Sequence, residues 1–241
     1  MFYKKMIILS ALLLSACGAN THHYQTSTQI QPSLAFISEK SNTLPPYGYV
    51  QFCNDYPTEC PEQYNATPKS HSILSNQVTA STNNSVESLD PFNLSRNLRR
   101  LLNNNPAEKE QFDTVIGLLE SVNREVNNSI TQVTDMDGFG VVENWRIPKM
   151  TSFVSDIGDC EDFALAKRKV LIERYGFHRN AVSMSVLRRP QGDVHAVLMV
   201  RTSYGDYVLD NLERDVLPWH KTGYRWLKKQ SFGNPSQWIS L

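Results

Sequence analysis

From Ala107 to Ile130 the apolar residues Phe112, Val115, Ile116, Leu119, Val122, Val126 and Ile130 recur at three- and four-residue spacing. That period predicts a long amphipathic helix with a single core-facing stripe. A second helix is predicted over Asp159 to Tyr175, closed by Gly176 in a C-cap role. An earlier one is predicted over Phe92 to Leu102, opened by Asp90-Pro91 and ended at Asn103-Asn104-Asn105-Pro106. Asp135 to Gly140 reads as a turn. After Gly176 the period shortens to runs of strand type at Val182 to Leu187, Val194 to Thr202 and Asp206 to Leu212, with weaker ones at Gly223 to Lys228 and Trp238 to Leu241. Helices first and an antiparallel sheet afterwards define an α+β class.

The N-terminal part lacks this periodicity. Lys4 and Lys5 precede an apolar run, Met6 to Leu14, that ends in Leu14-Ser15-Ala16-Cys17-Gly18. The pattern is that of a secretory signal peptide, and the run is too short to cross a hydrocarbon core about 30 Å thick. The residues before Cys17 match a bacterial lipobox, so the expected organisation is a lipoprotein signal peptide at 1–16 and a lipid-bearing Cys17. Cleavage after Ala16 with an unmodified Cys17 is the alternative. A polar tether is expected at 17–44, a cysteine-stapled element at 45–64, a second polar linker at 65–89 and the main domain at 90–241, since Ser, Thr, Asn, Gln and Pro dominate up to Asp90. The chain is thus expected on the bacterial cell envelope, anchored by lipid and facing the periplasm, with the outer membrane favoured over the inner.

Charge excludes one class of partner. The 24 Lys and Arg residues balance 24 Asp and Glu residues, so no basic field is offered to a polyanion and nucleic acid is not an expected partner. The run Lys167-Arg168-Lys169 reads as a solvated helix face. Of the four cysteines, Cys53 and Cys60 are seven positions apart with Pro57 between them, and outside the cytoplasm such a pair forms a disulfide. A metal site is the other reading, although no second Cys or His pair lies nearby at zinc-finger spacing.

Cys160 remains, in Gly158-Asp159-Cys160-Glu161-Asp162 at the mouth of the second predicted helix. A helix N-terminus favours negative charge on sulfur, and thiolate is the attacking species. His195 and Asp210 follow on neighbouring strand-like runs. Alternation puts His195 on one face with Val197 and Met199, and Asp210 with Val208 and Leu212. A two-residue turn between the runs leaves both on the same side of the sheet. A turn at Thr202-Ser203 would place them directly opposite, whereas Gly205 argues for a later turn and a diagonal or bulged pairing. Singly, each residue has a structural reading as a buried thiol, a core histidine or a turn aspartate. Together they read as nucleophile, base and orienter. Trp145 has two open readings, a buried structural indole or an N–H donor to an oxyanion.

At these residues the chain resembles the bacterial transglutaminase-like cysteine proteinases of the LapG type. The resemblance is carried by Phe52-Cys53 to Cys60, Val122-Asn123 with Val126-Asn127, Trp145 to Pro148, Gly158 to Ala164, His195 to Leu198, Val208 to Leu212 and Gly223-Tyr224-Arg225. It implies a papain-like, transglutaminase-type core with Cys160, His195 and Asp210 as the triad of a cysteine endopeptidase. In that family acidic residues beside the cysteine bind calcium, which implies Asp159 and Glu161, with Asp162 adjacent, as ligands. A cap-and-dipole role for the three carboxylates is the alternative. The resemblance also implies a protein substrate, a large surface adhesin in biofilm control, and an inner-membrane cyclic-di-GMP receptor as partner. An acyl transferase that cross-links proteins through the same triad, and a non-catalytic envelope binding module, are the rival functions.

Overall fold

The computed structural model describes residues 35–60, 105–150 and 156–241. The signal peptide, Cys17, the 65–89 linker and the helix predicted over Phe92 to Leu102 lie outside them. In chain order the described elements are β1 (Asn42–Thr43), α1 (Tyr47–Asp55), α2 (Pro106–Ser129), β2 (Ile130–Gln132), α3 (Asp135–Phe139), β3 (Asp156–Gly158), α4 (Cys160–Glu173), β4 (Val182–Arg188), β5 (Val194–Thr202), β6 (Gly205–Leu209), β7 (Leu217–Pro218), β8 (Arg225–Gln230) and β9 (Trp238–Ser240). Seven strands form an antiparallel sheet in the order β1-β9-β8-β4-β5-β6-β7, and β2 pairs with β3 in parallel. This is the α+β arrangement expected from the periodicity.

The helix α2 begins at Asn105, whose side chain accepts from Glu108 N–H, followed by Pro106 in the first turn. Its stripe of Phe112, Ile116, Leu119, Val122 and Val126 is buried against α4 and one face of the sheet, where Met184, Leu198, Val200, Tyr207 and Leu209 complete the core. The opposite face carries smaller clusters, one built on Leu187, Val197 and Val208 and one on Met199, Ile37 and Phe232. The sheet is therefore covered on both sides.

Three expectations change. Residues 35–44 are not free tether: Ala35 and Ile37 are buried, β1 pairs with β9, and Ile37 N–H donates to Asp206 Oδ2 at 2.9 Å. The Arg201 guanidinium lies over the rings of Phe232 and Phe36 at 4.1 and 5.3 Å. Two buried apolar side chains, a backbone edge matched to β9 and polar anchors such as the Lys229–Glu39 ion pair dock a stretch too polar on average to suggest order. Residues 45–60 are likewise no separate element, because Tyr49, Phe52 and the Cys53–Cys60 disulfide belong to the main core. The solvated reading of Lys167-Arg168-Lys169 holds only for Lys169, which pairs with Glu59 and Glu173. Lys167 and Arg168 are 0% and 2% exposed. The helix α4 is packed between α2, the α1 segment and the sheet, so it has no wet side at those positions.

Candidate active site

The sheet end at β5 and β6 meets the N-terminus of α4. Strand β6 stops at Leu209, short of Leu212, because Asp210 Oδ1 accepts from Leu212 N–H at 2.9 Å and turns the chain. Pairing runs Leu198 with Leu209 and Thr202 with Gly205, so Ser203-Tyr204 is the turn. This is one residue beyond the directly opposed register, and His195 and Asp210 consequently meet on a diagonal. His195 Nε2 lies 2.8 Å from Asp210 Oδ1, with both side chains almost fully buried. A carboxylate can only accept, so Nε2 carries the proton and the Nδ1 lone pair is left available.

Asp210 is held on every side. Oδ1 accepts from His195 and from Leu212, and Oδ2 accepts from the Tyr224 hydroxyl at 2.7 Å. Burial alone would raise its pKa, but the hydrogen bond and charge of His195, then Leu212 and Tyr224, hold it below the usual value. Its backbone is fixed from α2: Asn127 Nδ2 donates to Asp210 O at 2.9 Å and Asn123 Nδ2 to Glu213 O at 2.9 Å. Both asparagines are among the residues that carry the family resemblance, which assigns them no role. Their signal was present, since carboxamides four apart on a buried helical stripe need partners.

Cys160 is the first residue of α4, and its Sγ accepts from Ala196 N–H at 3.4 Å, next to His195. The sulfur also lies 3.2 Å from Glu161 Oε2. Burial, then the Glu161 charge, pushes the thiol well above its ordinary value, and the Ala196 N–H opposes this. Gly158 is required two residues upstream: a Cβ there would come within 2.8 Å of both Cβ and Oδ2 of Asp162.

The carboxylates do not group as predicted. Asp159 makes no capping bond to α4, and its Oδ2 instead accepts from Asp135 N–H at 3.3 Å. Asp135, Asp159 and Glu161 each present an oxygen within 4.8 Å of the other two. In the sequence Asp135 falls in a predicted turn, whereas in the structure it opens α3 behind the Thr134 cap. Burial and the Asp159 charge raise Asp135 to about 6 and Glu161 well above its usual value. Asp135 Oδ1 and Asp159 Oδ1 are buried without a hydrogen-bond partner. Converging, under-compensated carboxylate oxygens fit a hard divalent cation. Asp162 is not part of the cluster. Its Oδ1 accepts from Arg146 N–H at 2.8 Å, its Oδ2 lies 3.7 Å from Arg146 Nε, and burial pushes it up to about 8.

Trp145 is placed as a structural residue. Its indole N–H donates to Glu143 Oε2 at 2.8 Å, its ring meets Tyr49 edge-on, and it packs so closely on Gly48 that a Cβ there would lie 2.3 Å away. The donor proposed for an oxyanion is already engaged. Cys53 and Cys60 are joined as a disulfide, which leaves no metal role for the pair.

A thiol at a helix N-terminus, set against a strand whose histidine is paired with a carboxylate from the next chain segment, is the arrangement of thiol acyl-transfer enzymes. Residues 100–241 match the family model of the bacterial transglutaminase-like cysteine proteinases, and the chain belongs to that family. Similar solved structures include LapG of Legionella pneumophila in calcium-bound form, with a TM-score of 0.39, 23% identity, and coverage of 46% of this chain and 62% of that one. The EGTA-treated form gives a TM-score of 0.38 at 23% identity, covering 46% of this chain and 60% of that one. The chain thus spans less than two thirds of those proteins. No curated protein matches it.

Proposed function

We propose that this chain is a cysteine endopeptidase acting on protein in the bacterial envelope. The observation that carries the reading is the buried His195–Asp210 pair at 2.8 Å, whose histidine lies on the strand that aims its next N–H, that of Ala196, at Cys160 Sγ. His195 takes the thiol proton on its free ring nitrogen, and the thiolate attacks a substrate carbonyl carbon. Asp210 fixes the tautomer and stabilises the imidazolium. The imidazolium then gives the proton to the departing amine as the C–N bond breaks, and water cleaves the thioester to restore the thiol. Calcium held by Asp135, Asp159 and Glu161 would supply positive charge beside Sγ, offsetting carboxylates that otherwise oppose thiolate formation.

The finer reading places the chain on the envelope by a lipid on Cys17, facing the periplasm and on the outer membrane. Its substrate in this reading is a large surface adhesin, and its partner an inner-membrane cyclic-di-GMP receptor. Family membership and the lipobox support it. Purified wild type and Cys160→Ser, each incubated with envelope proteins from cells lacking the chain, test the reaction by mapping new N-termini. Wild type should create termini in a surface protein and the variant none. Incorporation of a labelled amine without new termini would establish acyl transfer instead. Cys17→Ser should move the protein from the membrane to the soluble fraction, and an unchanged distribution removes the anchor.

A further inference from the structure

Asp210 Oδ1 is satisfied by His195 and Leu212, and the residue that satisfies its Oδ2 stands 14 positions further along the chain. Tyr224 stands just before β8 and follows Gly223, whose φ of +71° lets the chain turn there at no steric cost. Thr222 Oγ1 donates to Trp219 O at 2.8 Å and accepts from Tyr224 N–H at 3.3 Å, which fixes the turn. The ring packs on the Leu187, Val197 and Val208 cluster and meets the His195 ring edge-on at 6.3 Å. Its hydroxyl then reaches Asp210 Oδ2 at 2.7 Å. Burial and the Asp210 charge raise the phenol far above its ordinary value, so it stays a donor.

We propose that Tyr224 is a positioning residue for the proposed catalytic pair: its O–H⋯Oδ2 bond sets the plane of the Asp210 carboxylate so that Oδ1 faces His195 Nε2. A carboxylate bonded through one oxygen alone can rotate about its Cβ–Cγ bond, and that torsion is intrinsically broad. Anchoring the second oxygen removes this freedom, and with it the freedom of the imidazole that Oδ1 orients. Tyr224 acts through Asp210 and needs no contact with substrate. A cavity of about 20 Å³ adjoins Asp210, Thr222 and Tyr224 and is large enough for one water. Removing the hydroxyl therefore lets a water approach Oδ2, so the loss should be moderate.

The inference rests on the thiol–imidazole reading above, and its test separates the two. Full-length protein in detergent and calcium-containing buffer is treated with iodoacetamide, and alkylation is followed on the peptide that contains Cys160. Tyr224→Phe should slow the reaction about tenfold, the effect of losing one hydrogen bond to an ionised group, with little change in melting temperature. In an Asp210→Ala background the same substitution should cause no further slowing, because the acceptor is gone. A wild-type rate no faster than that of His195→Ala would remove the catalytic reading and this inference with it. A His195-dependent rate unchanged in Tyr224→Phe, or a tenfold loss repeated in the Asp210→Ala background, overturns the inference alone. Should Tyr224→Phe fail to fold, 4-aminophenylalanine at position 224 keeps a para donor. It should then fold and react at close to the wild-type rate, and failure to do so also overturns the proposal.

Discussion

Asp156 ties together the two segments that lead into the site, and its ionisation state gives a measurable stability. Arg146 Nη1 and Nη2 donate to its two oxygens at 3.0 and 3.1 Å, and Lys149 N–H and Ile157 N–H add bonds at 2.8 and 2.9 Å. The Arg146 hydrogen bond, working against burial, lowers its pKa from 3.8 to about 2. At 1.36 kcal/mol per unit this is roughly 2.4 kcal/mol. The carboxylate is 26% exposed, so solvent screening brings the expected effect to about 2 kcal/mol. The folded value is depressed, so the stabilisation is complete above the unfolded value of 3.8 and is lost as pH falls through about 2. Asp156→Asn should therefore cost about 2 kcal/mol in urea unfolding at neutral pH, with an unchanged dependence on denaturant. The gap between wild type and variant should close between about pH 4 and pH 2. A gap that is absent at neutral pH, or that stays constant down to pH 2.5, would refute the reasoning.

Lys167→Met should stabilise the fold by about 1 kcal/mol or more, because the buried ammonium has no hydrogen-bond partner and burial, opposed by Asp210, lowers its pKa to about 7. The unfolded chain binds more protons between about 7 and 10.5, so wild-type stability should rise over that range and the variant's should not; parallel pH curves would contradict this. Replacing Cys53 and Cys60 together by Ala should cost about 2.5 kcal/mol, from the loop entropy of a bridge spanning seven positions, and an unchanged urea midpoint would remove the staple from the stability of the core. Saturating calcium at about 100 times its Kd should add about 2.7 kcal/mol, read as a rise in melting temperature that EGTA reverses and that Asp135→Asn abolishes. No rise in wild type would show that the three carboxylates do not bind the ion.

The long helix and the strands were legible because each carries its own period. The predicted Ala107 to Ile130 and the observed Pro106–Ser129 agree within a residue, and the predicted β5 span coincides with Val194–Thr202. Such features depend on residues three, four or two apart, and tertiary contacts had only to agree with them. The docking of residues 35–44 depends instead on partners about 170 to 200 positions away, such as Asp206, Trp238 and Ile239. Lys167 failed for a related reason. A charge run resembles a wet face until the packing around the whole helix is known, and α4 is enclosed at that turn.

The same distinction runs through the candidate site. Cys160, His195 and Asp210 were visible because a helix start and two alternating strands fix their directions. The grouping of Asp135 with Asp159 and Glu161 was not, because Asp135 comes from another element. Pairing of β2 with β3 aligns Gln132 with Gly158, and Val133 N–H donates to Gly158 O at 3.0 Å. That parallel contact sets Asp135 beside Asp159, 24 positions away in the chain. Adjacency misled in the opposite direction for Asp162. Successive residues on a helix point about 100° apart, so Glu161 turns toward Asp159 while Asp162 turns back over Gly158 and onto Arg146. Three neighbouring acidic residues thus divide between two tasks. Two converge with Asp135, Glu161 lying against the Cys160 sulfur, and the third fastens the loop through Arg146 to the base of α4.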